Sequence, residues 1–433
     1  MRIAVIGAGI SGLVAARGLA SGHEVVVFEA CDRPGGHTHT VDVETPDGTL
    51  PVDTGFIVYN ERNYPQFVKL LAELGVDSQP TDMSFSVQCE RTGLEYCGSS
   101  MNAIFAQRRN LLRPGFYRML RDILRFNEAG TALARSAAPA AGEELTVGEY
   151  LEYNGYSTAF REQYLLPMAA AIWSASPDRV GEFPLTYLAR FFDHHGLMQL
   201  SDRPRWRVIR GGSRQYLEPL MRPYADSVRL ATPVERIARD ADGVTVTPRG
   251  GAPEHYDYAV LACHSDEALA MLADPSEAER DVLGAIRYQP NEAVLHTDAR
   301  LLPRRRRAWA AWNYHRPRAG QQRVAVTYSM NILQSLPTDT QYLVTLNRSG
   351  DVDPAQVIRR IEYSHPVYDV PSVRARGRRR EISGVNRTAY CGAYWGFGFH
   401  EDGVQSALAA VEDVRGSRGE RKSDAELYLS RVG

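Results

Sequence analysis

The sequence predicts an α/β fold built on a parallel sheet. Residues 1–6 have the pattern of a buried strand that runs into a glycine turn at 7–12, and a helical stretch then leads to a second apolar strand at 24–29. Residues 256–262 are apolar without alternation, which is typical of a strand covered on both faces of a parallel sheet. Residues 390–403 again have the pattern of a strand, a glycine-rich turn and a helix. Patterns of buried strands thus occur at the start, in the middle and at the end of the chain.

The N-terminal turn has the spacing of a dinucleotide-binding βαβ unit, with glycines at Gly7, Gly9 and Gly12. The first glycine permits the tight turn, the second lets the backbone approach a pyrophosphate, and the third lets the helix pack closely on the strand. The helix N-terminus directs N–H groups and its positive dipole end at the phosphates. Glu29 follows at about the 20-residue spacing of the acid that binds a ribose hydroxyl, and its charge would repel the 2′-phosphate of NADP. The unit predicts a Rossmann-type domain that binds NAD or FAD.

Composition and charge exclude several other classes of protein. The chain has 433 residues, enough for two domains with sizeable cores, and 50 basic against 52 acidic residues give no sign of a nucleic-acid partner. The five cysteines and the histidine pairs at 37/39 and 194/195 lack metal-ligand spacing, so we predict no metal. No signal peptide precedes the first strand, and no apolar run approaches the ~20 residues of a membrane span. We expect a cytoplasmic protein with reduced thiols.

Two loops that follow the βαβ unit distinguish between NAD and FAD. They read Arg33-Pro34-Gly35-Gly36 and Val52-Asp53-Thr54-Gly55. Together with the first turn they resemble the flavin amine oxidase superfamily, which includes monoamine oxidases, phytoene desaturases and protoporphyrinogen oxidase. The resemblance implies FAD, with the paired glycines against the flavin end of the cofactor, and therefore an FAD-dependent oxidoreductase.

The resemblance spans nearly the whole chain and implies its domain organisation. A Rossmann-type FAD-binding domain, glutathione-reductase-like and of the amine oxidase type, is expected over residues 1–80, 205–290 and 380–433. The interleaved α+β substrate domain is expected over residues 81–204 and 291–379. The predicted cofactor-binding residues are Gly7, Gly9, Ser11, Gly12, Glu29, Arg33, Gly35, Gly36, Gly55, Val234, Glu401, Gly403 and Val404.

The C-terminal segment should complete the flavin site, with a helix from about Gly403. The N-terminus of that helix would face the flavin edge where negative charge develops on reduction. The predicted catalytic residues are His400, Tyr394 and Trp395. His400 either acts as an acid or base near neutral pH or only caps the turn, and the other two either wall the substrate or simply pack. Cys391 does not match the loop that carries covalent flavin in some amine oxidases, so FAD should be non-covalent.

Several longer strings resemble a narrower group. They lie at residues 53–60, 82–87, 167–174, 363–367 and 398–403. They resemble a bacterial subgroup of FAD-dependent amine-oxidase-like proteins that are linked with cyclopropane-fatty-acid-synthase-type methyltransferases. Some members are implicated in making furan fatty acids from methylated phospholipid acyl chains. The resemblance implies a methylated or cyclopropanated phospholipid acyl chain as substrate, molecular oxygen as a possible acceptor and a methyltransferase as a possible partner.

The distribution of lysine bears on the choice between lipid and amine substrates. Many flavin amine oxidases place a lysine, through a water, near the flavin N5, but this chain has only Lys69, on an early helix, and Lys422, in a polar tail. This disfavours a standard amine oxidase. Two alternatives stay open: an amine oxidase or polyene desaturase acting on a small molecule, and a non-catalytic flavoprotein partner of a lipid methyltransferase.

A lipid substrate would require contact with a membrane, and two arginine-rich segments are candidates. Residues 301–312 combine four consecutive arginines with two tryptophans, and residues 101–126 mix apolar residues with six arginines. Such segments suit anionic headgroups and the bilayer interface, but they are equally compatible with solvated arginines over ordinary core packing. On the first interpretation the protein is peripheral on the inner face of the membrane.

Overall fold

The computed structural model describes residues 1–136, 144–199, 201–318 and 324–416. The strands, in chain order, are β1 (Arg2–Ile6), β2 (Glu24–Phe28), β3 (Thr40–Thr45), β4 (Gly48–Asp53), β5 (Val58–Asn60), β6 (Ser78–Pro80), β7 (Phe85–Cys89), β8 (Leu94–Cys97), β9 (Trp206–Ile209), β10 (Val228–Arg229), β11 (Val234–Arg239), β12 (Val244–Pro248), β13 (Glu254–Tyr256), β14 (Tyr258–Leu261), β15 (Tyr288–His296), β16 (Trp312–Arg316), β17 (Val326–Ser329), β18 (Leu343–Leu346), β19 (Val357–Pro366) and β20 (Thr388–Tyr390).

The α-helices, in chain order, are α1 (Ile10–Ala20), α2 (Pro65–Leu74), α3 (Met101–Ile104), α4 (Pro114–Arg135), α5 (Val147–Tyr153), α6 (Thr158–Phe160), α7 (Leu166–Trp173), α8 (Pro177–Gly181), α9 (Leu185–His194), α10 (Leu217–Met221), α11 (Ser265–Met271), α12 (Glu277–Gly284), α13 (Met330–Leu333), α14 (Val370–Arg376) and α15 (His400–Gly416). In these described ranges no helix is both long enough and apolar enough to cross a bilayer.

The first large sheet is parallel and five-stranded, with the order β10-β2-β1-β14-β20. Alternate residues of β1 enter different cores: Ile3 and Val5 pack with α1 and α15, and Ala4 and Ile6 pack on the opposite face. Both faces are therefore covered, which explains why these strands are continuously apolar. The predicted α/β fold with a parallel sheet is confirmed, and the apolar run at 256–262 supplies β14, next to β1.

The second large sheet is mixed and seven-stranded, with the order β19-β15-β18-β17-β16-β7-β8. Its neighbouring strands are antiparallel except β16 and β7, which run parallel. Side chains of this sheet and of helices α4 to α9 share the largest hydrophobic core. The parallel sheet takes strands from three separated parts of the chain and the mixed sheet from two, which agrees with interleaving, while the limits of the two domains stay predictions.

The C-terminal helix begins earlier than the sequence pattern predicted. Helix α15 starts at His400 rather than at about Gly403. The carboxylate of Asp402 accepts the N–H of Phe399 at 2.9 Å, which satisfies a donor at the helix start and stabilises an earlier first turn. Gly403 lies inside the helix. A Cβ at this position would come within 2.9 Å of the Ile10 side chain, which explains the glycine. The glycine thus serves the close packing of α15 on α1 and does not mark the helix start.

Candidate active site

The first glycine turn lies at the carboxyl end of β1. A Cβ on Gly12 would lie 1.9 Å from the carbonyl oxygen of Gly7, so α1 can pack this closely only with glycine there. By contrast, a Cβ on Gly9 would meet no atom within 4 Å, so the space in front of its backbone is open. Ser11 follows in the buried first turn of α1. The turn combines tight packing behind with open space in front, as a bound pyrophosphate requires.

The loop at residues 33–36 packs directly on this turn. The N–H of Gly35 donates to the carbonyl of Ala8 at 2.7 Å. Gly35 and Gly36 have φ values of +110° and +58°, which L side chains rarely adopt. The guanidinium of Arg33 donates to the carbonyl of Gly36 at 3.0 Å and holds the loop in this shape. The structure therefore brings the two predicted glycine sites together.

A third loop, which contains Gly55, runs beside the second. The N–H of Phe56 donates to the carbonyl of His37 at 2.7 Å, and the N–H of Thr54 donates to that of His39 at 2.9 Å. A Cβ on Gly55 would lie 2.1 Å from the His37 carbonyl oxygen. The backbone at Gly55 is thus in direct contact with the chain that follows the paired glycines, as its assignment to the cofactor site requires.

Glu29 lies at the other end of the site. Its carboxylate accepts the N–H of Ala8 at 2.7 Å and that of Cys31 at 2.9 Å. The N–H of Thr232 donates to the backbone carbonyl of Glu29 at 2.8 Å, and Val234, two residues later, begins β11. Glu29 and Val234 therefore lie at the same end of the cradle, the end where Glu29 is predicted to bind a ribose hydroxyl.

The start of α15 contributes the last predicted cofactor residues. Gly403 and Val404 are buried against α1, with the Ser11 hydroxyl 3.0 Å from the position of a Cβ on Gly403. Glu401 serves another element, because its carboxylate accepts the N–H groups of Gln66 at 3.1 Å and Phe67 at 2.9 Å at the start of α2. The Glu401 side chain therefore caps α2, and only the backbone of Glu401 is available to contact a cofactor.

His400 is buried in a closed set of contacts. Its ring stacks on Phe56 with centroids 3.5 Å apart, and its Nε2 lies 3.0 Å from the Thr38 hydroxyl and 3.1 Å from the Tyr216 hydroxyl. Those two hydroxyls also hydrogen-bond each other. Burial lowers the pKa of His400 to about 3, so its imidazole is neutral at physiological pH. This geometry favours a positioning role over proton transfer by an imidazolium.

Tyr394 and Trp395 form a short turn after β20. Tyr394 packs against Ile286 and Ala375 in a small buried cluster. The Tyr394 hydroxyl and the Trp395 Nε1 are buried without a hydrogen-bond partner among the residues that the structure describes. Burial raises the pKa of the Tyr394 hydroxyl well above its usual range, which keeps it protonated. These two unsatisfied polar atoms fit a site whose partner is a bound ligand.

An aromatic wall, which we define as Trp173, Tyr187, Phe191 and Tyr368, covers the turn at residues 396–398. Trp173 Nε1 donates to the carbonyl of Phe397 at 3.1 Å, and the Tyr187 hydroxyl donates to that of Gly396 at 3.1 Å. The Tyr187 and Tyr368 rings stack with centroids 5.4 Å apart. Helices α7 and α9 supply three of these rings, and only Trp173 stands in a string that the sequence singled out.

The antiparallel pair of β15 and β19 brings polar residues to the second loop. The His37 ring stacks on Tyr363 at 4.9 Å and lies 5.3 Å from the His365 ring. The Asn291 amide lies 3.0 Å from His365 Nδ1; because the amide nitrogen can only donate, Nδ1 accepts and Nε2 carries the proton. Burial lowers the pKa of His365 to about 4. Nothing local in the sequence indicates that His365 contacts a residue more than 300 positions away.

Asp53 joins three parts of the chain behind the site. Its buried carboxylate accepts the Ser213 N–H at 2.9 Å and the Thr40 hydroxyl at 2.6 Å. Its own N–H donates to the Gln334 side chain at 2.9 Å, and Gln334 follows α13 of the second domain. Burial raises the pKa of Asp53 to about 6. The glycine pair at 211–212 directly precedes Ser213, so it belongs to the segment that supports the site.

The described part of the site offers neither a lysine nor a cluster of metal ligands. Lys69 is exposed on α2, and Lys422 lies outside the described residues. The described part of the site therefore contains no lysine. Nor does the described part of the chain contain a group of three or more His, Cys, Asp or Glu side chains that could hold a metal ion.

Residues 10–302 match the family model described as flavin containing amine oxidoreductase. The chain belongs to this family. The predictions of an FAD cofactor and of an FAD-dependent oxidoreductase are thus confirmed at the level of the family. The open cradle at Gly9 and the buried His37 Nε2, which lacks a partner among the described residues, fit this cofactor.

Known proteins with related sequences or folds are diverse. Over 284 residues the chain is 28% identical to "Putative flavin-containing monoamine oxidase AofH" of Mycobacterium tuberculosis, covering 63% of this chain and 59% of AofH. Cyclohexylamine oxidase from Brevibacterium oxydans has the same fold, with a TM-score of 0.67, 20% identity and coverage of 96% and 99%. A CLA-producing fatty acid isomerase from P. acnes gives a TM-score of 0.65, 17% identity and coverage of 96% and 98%.

Proposed function

We propose that the protein is an FAD-dependent oxidoreductase that oxidises a methylated or cyclopropanated fatty acyl chain of a phospholipid. When bound, FAD supplies the acceptor for a hydride removed from the substrate. The observation that carries the proposal is the aromatic wall over residues 396–398. Its Trp173 and Tyr187 polar atoms are used by backbone carbonyls, so the wall offers ring faces to a substrate. Hydrocarbon can be buried against such rings without competing for the polar atoms of Trp173 and Tyr187, and the Tyr368 hydroxyl is the one polar atom of the wall that is buried without a partner among the described residues.

The charges around the wall favour an uncharged substrate. His195 is buried beside Phe191, and burial lowers its pKa to about 3, so this imidazole is neutral. Asp402, beside the turn, accepts the N–H of Phe399, and burial raises its pKa to about 7. A substrate ammonium would find here a carboxylate that is already hydrogen-bonded and about half protonated near neutral pH. An acyl chain needs no counter-charge.

The chain's own residues would position the cofactor and exclude water. The predicted cofactor residues from Gly7 to Val404 line the three loops, the Glu29 end and the start of α15. His400 would hold Thr38 and Tyr216 in place, and the α15 N-terminus would stabilise negative charge on the reduced cofactor. Tyr394 and Trp395 would offer their unpaired polar atoms to it. Cys391 is buried and its thiol pKa is raised to about 12, so it stays a thiol, which supports non-covalent FAD.

Partners and location follow from the proposed substrate. An acyl chain within a phospholipid places the protein at a membrane surface, near a methyltransferase that prepares the chain, with molecular oxygen as electron acceptor. All five cysteines are free, as a reducing cytoplasm would leave them. A fatty acid isomerase has the same fold, which supports the proposal that this fold can hold an acyl chain.

A second candidate function is the oxidation of a soluble amine. It is favoured by the names of the relatives, since AofH is described as a monoamine oxidase and one structural neighbour is a cyclohexylamine oxidase. The lack of a lysine among the described residues of the site disfavours it.

Anaerobic reduction of the bound flavin decides between the two functions. The purified holoprotein is mixed with liposomes that carry methylated or cyclopropanated phospholipid and, separately, with a panel of amines. Loss of the oxidised-flavin absorbance with the modified lipid, but not with its unmodified parent, is the expected result. Reduction by an amine alone would establish the second candidate, and reduction by neither would point to a non-catalytic flavoprotein.

A further inference from the structure

Two arginine-rich segments that are about 200 residues apart in the sequence lie side by side in the structure. Glu95 on β8 accepts the N–H groups of Arg304 at 3.3 Å and Arg305 at 3.2 Å. Ala103 of α3 and Ala310 share a small buried cluster with Cys97, the last residue of β8. Strand β8 thus joins the loop at 304–307 to the helical turns that follow residue 100.

The turns after residue 100 expose large apolar side chains among these arginines. Leu112 is 87% exposed and Met101 67%, and Leu111 and Tyr117 are also exposed. The Tyr117 hydroxyl donates to the Leu111 carbonyl at 3.1 Å, which keeps the two residues together. Such exposure is costly in water, and contiguous apolar exposure rimmed by charge marks an interaction surface.

The two segments carry exposed charge of one sign, and Glu95, which lies between them, is buried. Residues 98–121 contain five arginines and residues 299–318 contain seven, and neither stretch contains an aspartate or glutamate. Among the described residues, Arg304 to Arg307 are exposed and form no ion pair with a carboxylate. The two tryptophans of the second segment do not project from it, since both are partly buried and Trp309 donates to the Pro303 carbonyl at 2.7 Å. The apolar part of the surface comes from residues 101–117 alone.

A cavity opens beside the exposed leucines. Its volume is about 360 Å³, and its walls include Leu94, Leu112, Phe116, Met119 and Ala159. Leu112 both lines the cavity and projects into solvent, so the cavity opens on the surface itself. Its mainly apolar walls suit a hydrocarbon segment.

We propose that residues 101–121 and 304–307 form one docking face for an anionic phospholipid bilayer. Leu111, Leu112 and Met101 enter the interface, the surrounding arginines contact the headgroups, and the cavity receives the end of one lipid chain. The lipid as substrate rests on the proposed function; the bilayer as docking partner rests on this surface alone.

The test is co-sedimentation of the holoprotein with vesicles of phosphatidylcholine, with and without phosphatidylglycerol. Wild type should bind the anionic vesicles, and more weakly as salt rises. Replacing Arg304 to Arg307 with serine should lower the binding constant about ten-fold or more, and Leu111→Ser with Leu112→Ser should also reduce it strongly. Matched controls, with serine at Arg210, Arg222, Arg249 and Arg280 or at Leu230 and Leu408, should bind as wild type.

Equal binding by the face variants and the wild type, or no binding of wild type to either vesicle, would overturn the proposal. In the second case a protein partner becomes the better occupant of the face. Flavin reduction by detergent-dispersed modified lipid separates this inference from the proposed function. A variant that has lost vesicle binding but is reduced normally by dispersed lipid supports both. If the wild type binds vesicles but no lipid reduces its flavin, the docking face is supported and the proposed lipid substrate is refuted.

Discussion

Gly9 is the residue whose replacement should affect the cofactor site most directly. Gly9→Glu should abolish FAD binding, because the side chain would fill the open space before this backbone and place a negative charge against the pyrophosphate. The measurement is the ratio of released FAD to protein after denaturation. Gly22→Glu is the matched control, since a Cβ there also meets no atom within 4 Å and the residue is exposed after α1. Stoichiometric FAD in Gly9→Glu would refute the site.

His400 can be tested as a positioning residue. His400→Ala should lower the free energy of unfolding by about 2 kcal/mol, because it removes the imidazole nitrogen that the Thr38 and Tyr216 hydroxyls share and takes the ring away from Phe56. It should also slow flavin reduction and shift the flavin absorption spectrum. His400→Gln, which restores one hydrogen bond, should recover most of the spectrum. If His400→Gln has normal stability and spectrum but no flavin reduction, His400 transfers a proton and the positioning role is wrong.

Helix α1 packs on the glycine turn through a contact at Gly12 that leaves no room for a larger side chain. Gly12→Ala should destabilise the protein by about 1–3 kcal/mol, because the methyl group would lie 1.9 Å from the Gly7 carbonyl oxygen and would force α1 away from β1. Gly115→Ala, in the first turn of α4 where a Cβ meets no atom within 4 Å, should be neutral or slightly stabilising. Urea unfolding of the two variants gives the comparison, and equal stabilities would contradict the close packing.

Helix α15 shows how one element serves several others. Its first turn supplies His400 to the second loop, Glu401 to the start of α2 and Asp402 to its own N-terminus. Both carboxylates lie at the positive end of the helix dipole, which favours them there whatever the function. Glu401 was expected from the sequence to bind the cofactor, whereas its side chain caps α2.

The stability of the whole protein should fall in mild acid. Burial lowers the pKa of His195 and His400 to about 3, and that of His365 to about 4, from 6.5. Between these values and 6.5 the unfolded chain binds more protons, so the stability contributed by the neutral imidazoles is full above pH 6.5 and is lost as pH falls through the folded pKa values. His39, His296 and His315 shift in the same direction, to about 4.

Two buried carboxyls oppose this trend. The pKa of Asp53 is raised to about 6 and that of Asp402 to about 7, from 3.8, so their contribution is full below pH 3.8 and is lost as pH rises through the folded values. Since the shifted histidines outnumber them, the net slope is on the order of 1 kcal/mol per pH unit for each excess proton in the unfolded state. The midpoint of thermal unfolding should therefore fall from pH 7.5 to pH 5. A constant midpoint would mean that these imidazoles are protonated in the folded protein.

The sequence by itself determined the cofactor end of this protein. The βαβ unit, the spacing of Gly7, Gly9 and Gly12, and Glu29 all lie within 30 residues, and the backbone conformation that they specify is local. Alternating and continuous apolar patterns likewise indicated which strands are covered on one face or on two. Such patterns report burial and local geometry, and for that reason they predicted the fold class and the first loops.

Only the tertiary structure decided which distant residues meet. The aromatic wall, the contact of His37 with His365, the hydrogen bonds of Asp53 and the union of residues 101–121 with 304–307 join positions that are more than 100 residues apart. The tertiary structure also shows that α15 starts at His400 and that the Glu401 carboxylate accepts an N–H group at the start of α2. The periodicity of apolar residues indicates that a side chain is buried but not which residue covers it. The covering residue depends on how whole helices and sheets pack together.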